Sequence, residues 1–247
     1  MSCGVRMVVA GSLFLSTFCA PSAYAQNDDL YAATVIVTGR DNLAERSRGI
    51  REALPLVLTK VSVDADAPAR AAGRGLTEDA EAFVVGFDYR DRKEGVQISD
   101  EQGTRDRSFE FTARFDPDRV DAVLREVGAQ PWHGPRPEIG VDLMIDDRTS
   151  RYRLTELSEK GYGQRMAFAD KAAALGLSVR LPEADGVEPG TPVRLEGEMS
   201  MTADGYWDTQ WRVTAPDVET SFASSGTTFD LAFEEALRRT AQALAAR

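Results

Sequence analysis

A chain of 247 residues with 40 acidic and 29 basic side chains, net charge −11, has too little positive surface to take nucleic acid as its main partner. Its single histidine excludes a multi-histidine metal site, and its two cysteines leave little for zinc. The length exceeds the usual single-domain mode of about 100–150 residues, so two modest domains are expected.

Residues 1–25 read as a secretory signal peptide: Arg6, an apolar stretch over 7–18, then small residues ending Ala23-Tyr24-Ala25. A periplasmic location is therefore expected, with no transmembrane segment, because the stretch is shorter than the roughly 20 residues a spanning helix needs. Bulky Phe18 ahead of Cys19 argues against lipidation. Cys3 and Cys19 both leave with the leader, so the mature chain is expected to have neither disulfide nor thiol chemistry.

The first domain is expected over 26–130. "YAATVIVTG" reads as a strand. Asn42 is a good N-cap, with Glu45 placed to complete a capping box. Leu43, Ser47, Ile50, Leu54, Val57 or Leu58, and Val61 then give one apolar helical stripe over 42–61, which Pro55 should kink or restart. Residues 62–76 read as a loop. "EAFVVGFDYR" and "SFEFTARFD" read as two strands, the second alternating apolar and polar. Asp116, Pro117, the stripe Val120, Val123, Leu124 and Val127, and Gly128 mark a second helix from cap to stop. The order β-α-β-β-α implies a small sheet with two helices on one face.

The Pro/Gly-rich residues 131–137 are expected to be a semi-rigid linker, and 138–247 a second domain. Its elements are a strand in "EIGVDLMIDD", a helix near 162–175 burying Met166, Ala169 and Ala173, strands in "VRLEGEMS", "YWDTQWRVT" and "VETSFAS", and a closing helix over about 228–245. The fold class is α+β: two small tandem domains, each a mixed or antiparallel sheet with helices on one face, plausible as distant copies of one plan.

No nucleophile elbow, phosphate loop, dinucleotide fingerprint or calcium-loop pattern occurs. His133 lies beside Trp132 in the linker, a position that suits packing better than general-base catalysis. Asp146 and Asp147 read as a solvated strand end, and Trp207 with Trp211, four apart on a strand, as core. The connection between the second and third strands is anomalous, since unstructured loops beyond about 12–15 residues are uncommon. It carries Asp100, Glu101, Gln102, Gly103, Thr104, Arg105, Asp106 and Arg107. The arginines and a glycine turn there could converge on an anion, although the neighbouring acids favour a self-neutralised network. These eight residues, with Trp132 and Arg136, are the candidate binding residues. No catalytic residue, cofactor or metal is expected.

The stretches "VIVTGRD", "ALPLVLTKVS", "DYRD", "DEQGTRDR", "FDPDRVDAVLREVG", "PWHGPRPEIGV" and "GYGQRMAFADKAA" resemble a proteobacterial family of secreted proteins, domain of unknown function 2066 (DUF2066). The resemblance covers about residues 31–245 and is strongest over 88–136. "VSVDADAP" departs from the family's "VSGD" turn. The family has no established activity, so the resemblance implies secretion and domain layout and adds nothing catalytic. Together these readings lead to a non-enzymatic binding or scaffolding module of the cell envelope, with an envelope protein or anionic envelope component as partner. The alternative is a hydrolase or transferase acting on cell-wall glycan or ester through acidic side chains.

Overall fold

Asn42 starts the first long helix by accepting the Ala44 and Glu45 amides, which would otherwise lack partners. In the computed structural model, which describes residues 30–92 and 107–246, this helix follows one strand and covers part of a small sheet. The first half runs β1 (Ala32–Thr38), α1 (Leu43–Ser62), α2 (Ala67–Gly73), β2 (Val84–Asp91), β3 (Ser108–Phe115) and α3 (Pro117–Glu126). The strands form an antiparallel sheet in the order β1-β3-β2. Its core gathers Leu54, Leu58, Phe111, Phe115 and Leu124, all essentially fully buried.

The second half runs β4 (Ile139–Asp146), β5 (Arg151–Arg153), α4 (Tyr162–Ala174), β6 (Val179–Arg180), β7 (Val193–Met201), β8 (Trp207–Ala215), β9 (Val218–Thr227) and α5 (Phe229–Ala245). Its six-stranded mixed sheet has the order β5-β4-β7-β8-β9, with β6 also pairing with β4. β4 and β7 are parallel, whereas β7, β8 and β9 make an antiparallel meander. Ile139, Val141, Leu143 and Ile145 of β4 pack with Phe168 of α4 and Phe233 of α5. Trp207 and Trp211 are core residues, as the alternation implies. The Trp211 ring lies so close over Gly197, its cross-strand neighbour, that a Cβ there would sit 2.4 Å from the ring.

The α+β class stands, with corrections in detail. α1 is continuous through Pro55, which does not restart it. Proline removes one amide and one helical bond, a loss that α1 offsets by burying eight residues against the sheet and its neighbours. Residues 62–76, expected as a loop, contain α2, which has Pro68 in its first turn and packs against α1. The buried side of α4 holds Phe168 and Ala172, whereas Met166 is 47% exposed and Ala169 and Ala173 face solvent. The bulkiest apolar side chain sets the face. The halves are not copies of one plan: the first helix of the first half connects to a strand at the far edge of its sheet, and α4 leads back to strands beside β4.

Helix α1 sits close to its sheet because Gly49 has no side chain. A Cβ there would lie 2.8 Å from Val37 Cγ1 and 3.0 Å from Phe111 Cδ1. A second close fit joins the halves. Trp132 is buried in the second core while its amide donates to the Val61 carbonyl of α1. Arg136 donates to the Leu175 carbonyl after α4 (2.6 Å), the Lys60 carbonyl of α1 (2.9 Å) and the Trp132 carbonyl (3.3 Å), with its guanidinium 4.3 Å from the Trp132 ring centroid. No described carboxylate forms an ion pair with it. The negative ends of two helices and an aromatic face stand in for one. Burial lowers the Arg136 pKa to about 10, so the group stays charged at neutral pH.

Gly49→Val should lower stability by about 1–3 kcal/mol through overpacking, seen as a lower urea midpoint at an unchanged m-value. Arg136→Met should cost about 3 kcal/mol, because charge-assisted bonds are lost and buried carbonyls left unpaired. Arg136→Lys should recover little of this, since an ammonium cannot fork across carbonyls from both halves. For both variants a single urea transition should broaden or split as the halves uncouple.

Candidate functional site

Of the residues singled out in the sequence, Asp100, Glu101, Gln102, Gly103, Thr104, Arg105 and Asp106 lie outside the described residues, as does the stretch "GVQIS" at 95–99, which could add a short strand. Arg107 is described and is ion-paired with Asp91 at 2.9 Å, closing the base of the connection. Trp132 is 6% exposed and the Arg136 guanidinium is engaged by carbonyls, so both side chains hold the halves together. The linker's neighbour His133 has its Nε2 2.9 Å from Asp121 Oδ2 and 3.0 Å from the Tyr31 hydroxyl. Tyr31 donates to the other Asp121 oxygen at 2.9 Å, and burial together with that carboxylate raises the Tyr31 pKa well above its ordinary value. A cleft of about 790 Å³ opens beside them, walled by Asp64, Gln130, Trp132, His133, Gln242 and several prolines. Ser62, which also lines it, donates its hydroxyl to the Leu58 carbonyl.

Of the adjacent acids that could serve glycan cleavage, Asp100 with Glu101 lies outside the described residues and Asp146 with Asp147 is tied up. Asp146 and Asp147 accept backbone amides of the turn that follows them. On the open face of the second sheet, Asp142 pairs with Arg153 at 2.7 Å, Glu196 with Arg194 at 3.0 Å and Glu198 with Arg151 at 2.9 Å. Among the described residues no group of three or more metal-capable side chains gathers, and no helix is long and apolar enough to cross a membrane.

A different arrangement stands out at the end of the first sheet from which the 93–106 connection leaves. α1 lies over β1 and β3, so β2 extends beyond its cover. Phe87 and Tyr89 of β2 join Phe109 and Phe111 of β3 in an aromatic cluster with centroids 5.1–6.1 Å apart. Phe111 is fully buried, but Phe87 is 42% exposed and Val85 beside it 65%. Leu43, expected to begin the buried stripe of α1, is 64% exposed. Arg46 of α1 lies over the Phe87 ring at 5.2 Å, and Arg40 over the Tyr89 ring at 6.0 Å. Neither forms an ion pair with any described carboxylate. The Tyr89 hydroxyl is buried with no hydrogen-bond partner among the described residues, and burial raises its pKa.

The charges on the opposite face of the same sheet cancel. Arg90 pairs with Glu110 and Arg114 with Asp88, while the Thr34 and Thr112 hydroxyls bond at 2.7 Å. The corner is also held stiffly. Gly39 turns at φ 78°, a conformation that favours glycine, and its amide donates to the Arg107 carbonyl at 2.8 Å. Glu45 accepts the Thr38 amide at 3.0 Å in place of the Asn42 amide of a regular capping box, and also binds Arg48. Sequence reasoning missed Arg40, Arg46, Val85 and Phe87. The strand pattern in "VVGFDYR" places Phe87 on the apolar side, but nothing local says that the helix stops short of it.

A family model described as Domain of unknown function (DUF8605) matches residues 25–133, the span that holds this corner and ends within the linker. It is a different family from DUF2066, and the earlier resemblance is corrected accordingly: shared short stretches do not outweigh a match along a continuous span. No curated protein and no solved structure matches the chain.

The Arg48 side chain and the Thr38 amide lower the Glu45 pKa to about 2 from 4.5. A lowered carboxylate stabilises the fold above its unfolded pKa, and that contribution is lost as pH falls through the folded value. Glu45→Gln should therefore flatten the decline in thermal stability between pH 4.5 and 2, as followed by circular dichroism, while lowering stability at pH 7.

Proposed function

We propose that this protein is a non-enzymatic binding module of the bacterial cell envelope, exported by its 1–25 leader, that holds an acidic partner at the corner formed by Arg40, Arg46, Phe87 and Tyr89. What carries the reading is two arginines stacked on a half-open aromatic cluster with no described carboxylate paired to either. Such a cation on an apolar floor attracts a carboxylate, and the floor shelters the contact from water. In a chain of net charge −11, two arginines that no described carboxylate pairs form a local exception that selects orientation as well as partner. The Asp91 and Arg107 pair, at 2.9 Å, ties the ends of β2 and β3 together beside the same corner.

The experiment is direct binding of acidic, partly apolar peptides to the full chain by fluorescence anisotropy. Arg46→Glu should weaken binding about tenfold, the equivalent of about 1.4 kcal/mol. Arg212→Glu, the same charge change on the exposed face of the second sheet, should alter it less than about twofold, by the same relation. Equal effects of the two would reduce the corner to a bulk charge effect and refute the reading. Export is tested separately, by fusing residues 1–25 to a reporter active only outside the cytoplasm.

A further inference from the structure

We infer that the partner docks as an extended strand added to the free edge of β2, an inference that rests on the corner being the binding site. The two edges of the first sheet are treated differently. On β1, the outward carbonyls of Ala32 and Ile36 are taken by side chains of α1: Lys60 Nζ donates to Ala32 at 2.8 Å and Arg48 to Ile36 at 2.9 Å. That edge is capped by cations, one of the ways proteins stop strands from adding. β2 has no such cap. Among the described residues, the main chain of residues 85–90 is hydrogen-bonded to β3 and to no side chain.

Beyond the outward main-chain groups within residues 85–90, which no described residue engages, β2 offers anchors. Val85 and Phe87 are exposed beside it, and Arg46 and Arg40 stand over the same aromatic side. After the register shift between Val84 and Gly86, pairing with β3 is regular from Gly86 to Asp91, so the edge is straight enough to extend the ladder. The outer strand of the second sheet, β9, is longer but lacks this chemistry: serines, threonines and glycine predominate, and none of the large exposed apolar side chains belongs to it. Main-chain bonds give a strand ligand its affinity, and alternate side chains give it specificity. The expected ligand is therefore an extended peptide with apolar and acidic side chains on one face. A second copy of this chain suits the edge less well, since it would bring a second set of arginines to the same place.

The probe is a fluorescein-labelled peptide, Val-Thr-Glu-Thr repeated, in which threonine occupies one face and valine with glutamate the other. It is compared with two versions N-methylated at alternate amides, one set in each. Strand addition predicts that one set weakens binding to the full chain at least tenfold and the other less than twofold, because only alternate amides face the edge. Phe87→Lys should weaken the parent peptide at unchanged secondary structure by circular dichroism. If the parent binds and both methylated sets bind alike, side chains alone make the contact and strand addition is overturned, while the corner survives as the site. If the parent does not bind at all, the corner reading itself fails and this inference with it. A concentration-dependent dimer abolished by Phe87→Lys would assign the edge to a second copy, again overturning the inference.

Discussion

Arg136 is a half-buried cation with no described carboxylate paired to it, and it ties together the elements on either side of the linker. Its guanidinium faces the carbonyl ends of α1 and α4, where helix dipoles concentrate negative potential, and lies against Trp132. An ion pair at this place would have joined the linker to one half. Carbonyls from both halves make the same group a tie between them. Trp132 reinforces it by placing its ring in the second core while its amide is bonded to α1. The linker residues that look, in sequence, like a spacer thus set the relation of two sheets.

The first sheet shows how a close fit at one place leaves surface free at another. Gly49 lets α1 settle onto Val37 and Phe111, which fixes the helix over β1 and β3. A helix is about 10–12 Å across with its side chains and strands lie about 4.8 Å apart, so one helix covers roughly two strands. The third strand keeps its aromatic side half open, and residues at the start of α1 meet that opening instead of the core. Phe87 stays half exposed there, with Arg46 of α1 over its ring.

Much of the fold was legible because its signals are local. The caps at Asn42 and Asp116, the proline at the start of α3 and the alternation in β3, β4 and β8 all depend on neighbours within a few residues. Misreadings arose where packing at a distance decides. Pro55 is tolerated because the flanking turns are buried, α2 forms because α1 gives its alanines somewhere to pack, and the face of α4 follows Phe168. The site was the least legible part. Trp132 and Arg136 draw the eye as an aromatic and a charge in a proline-rich run, yet both are used internally, whereas Arg40 and Arg46 look in sequence like ordinary solvated arginines.

The caps on β1 have a bearing on assembly. Propagation of a filament through one sheet needs two complementary borders on each subunit, one to donate and one to receive. Lys60 and Arg48 close one of them at Ala32 and Ile36. With that border closed, the strand addition inferred for β2 would end at one partner instead of running on through the sheet.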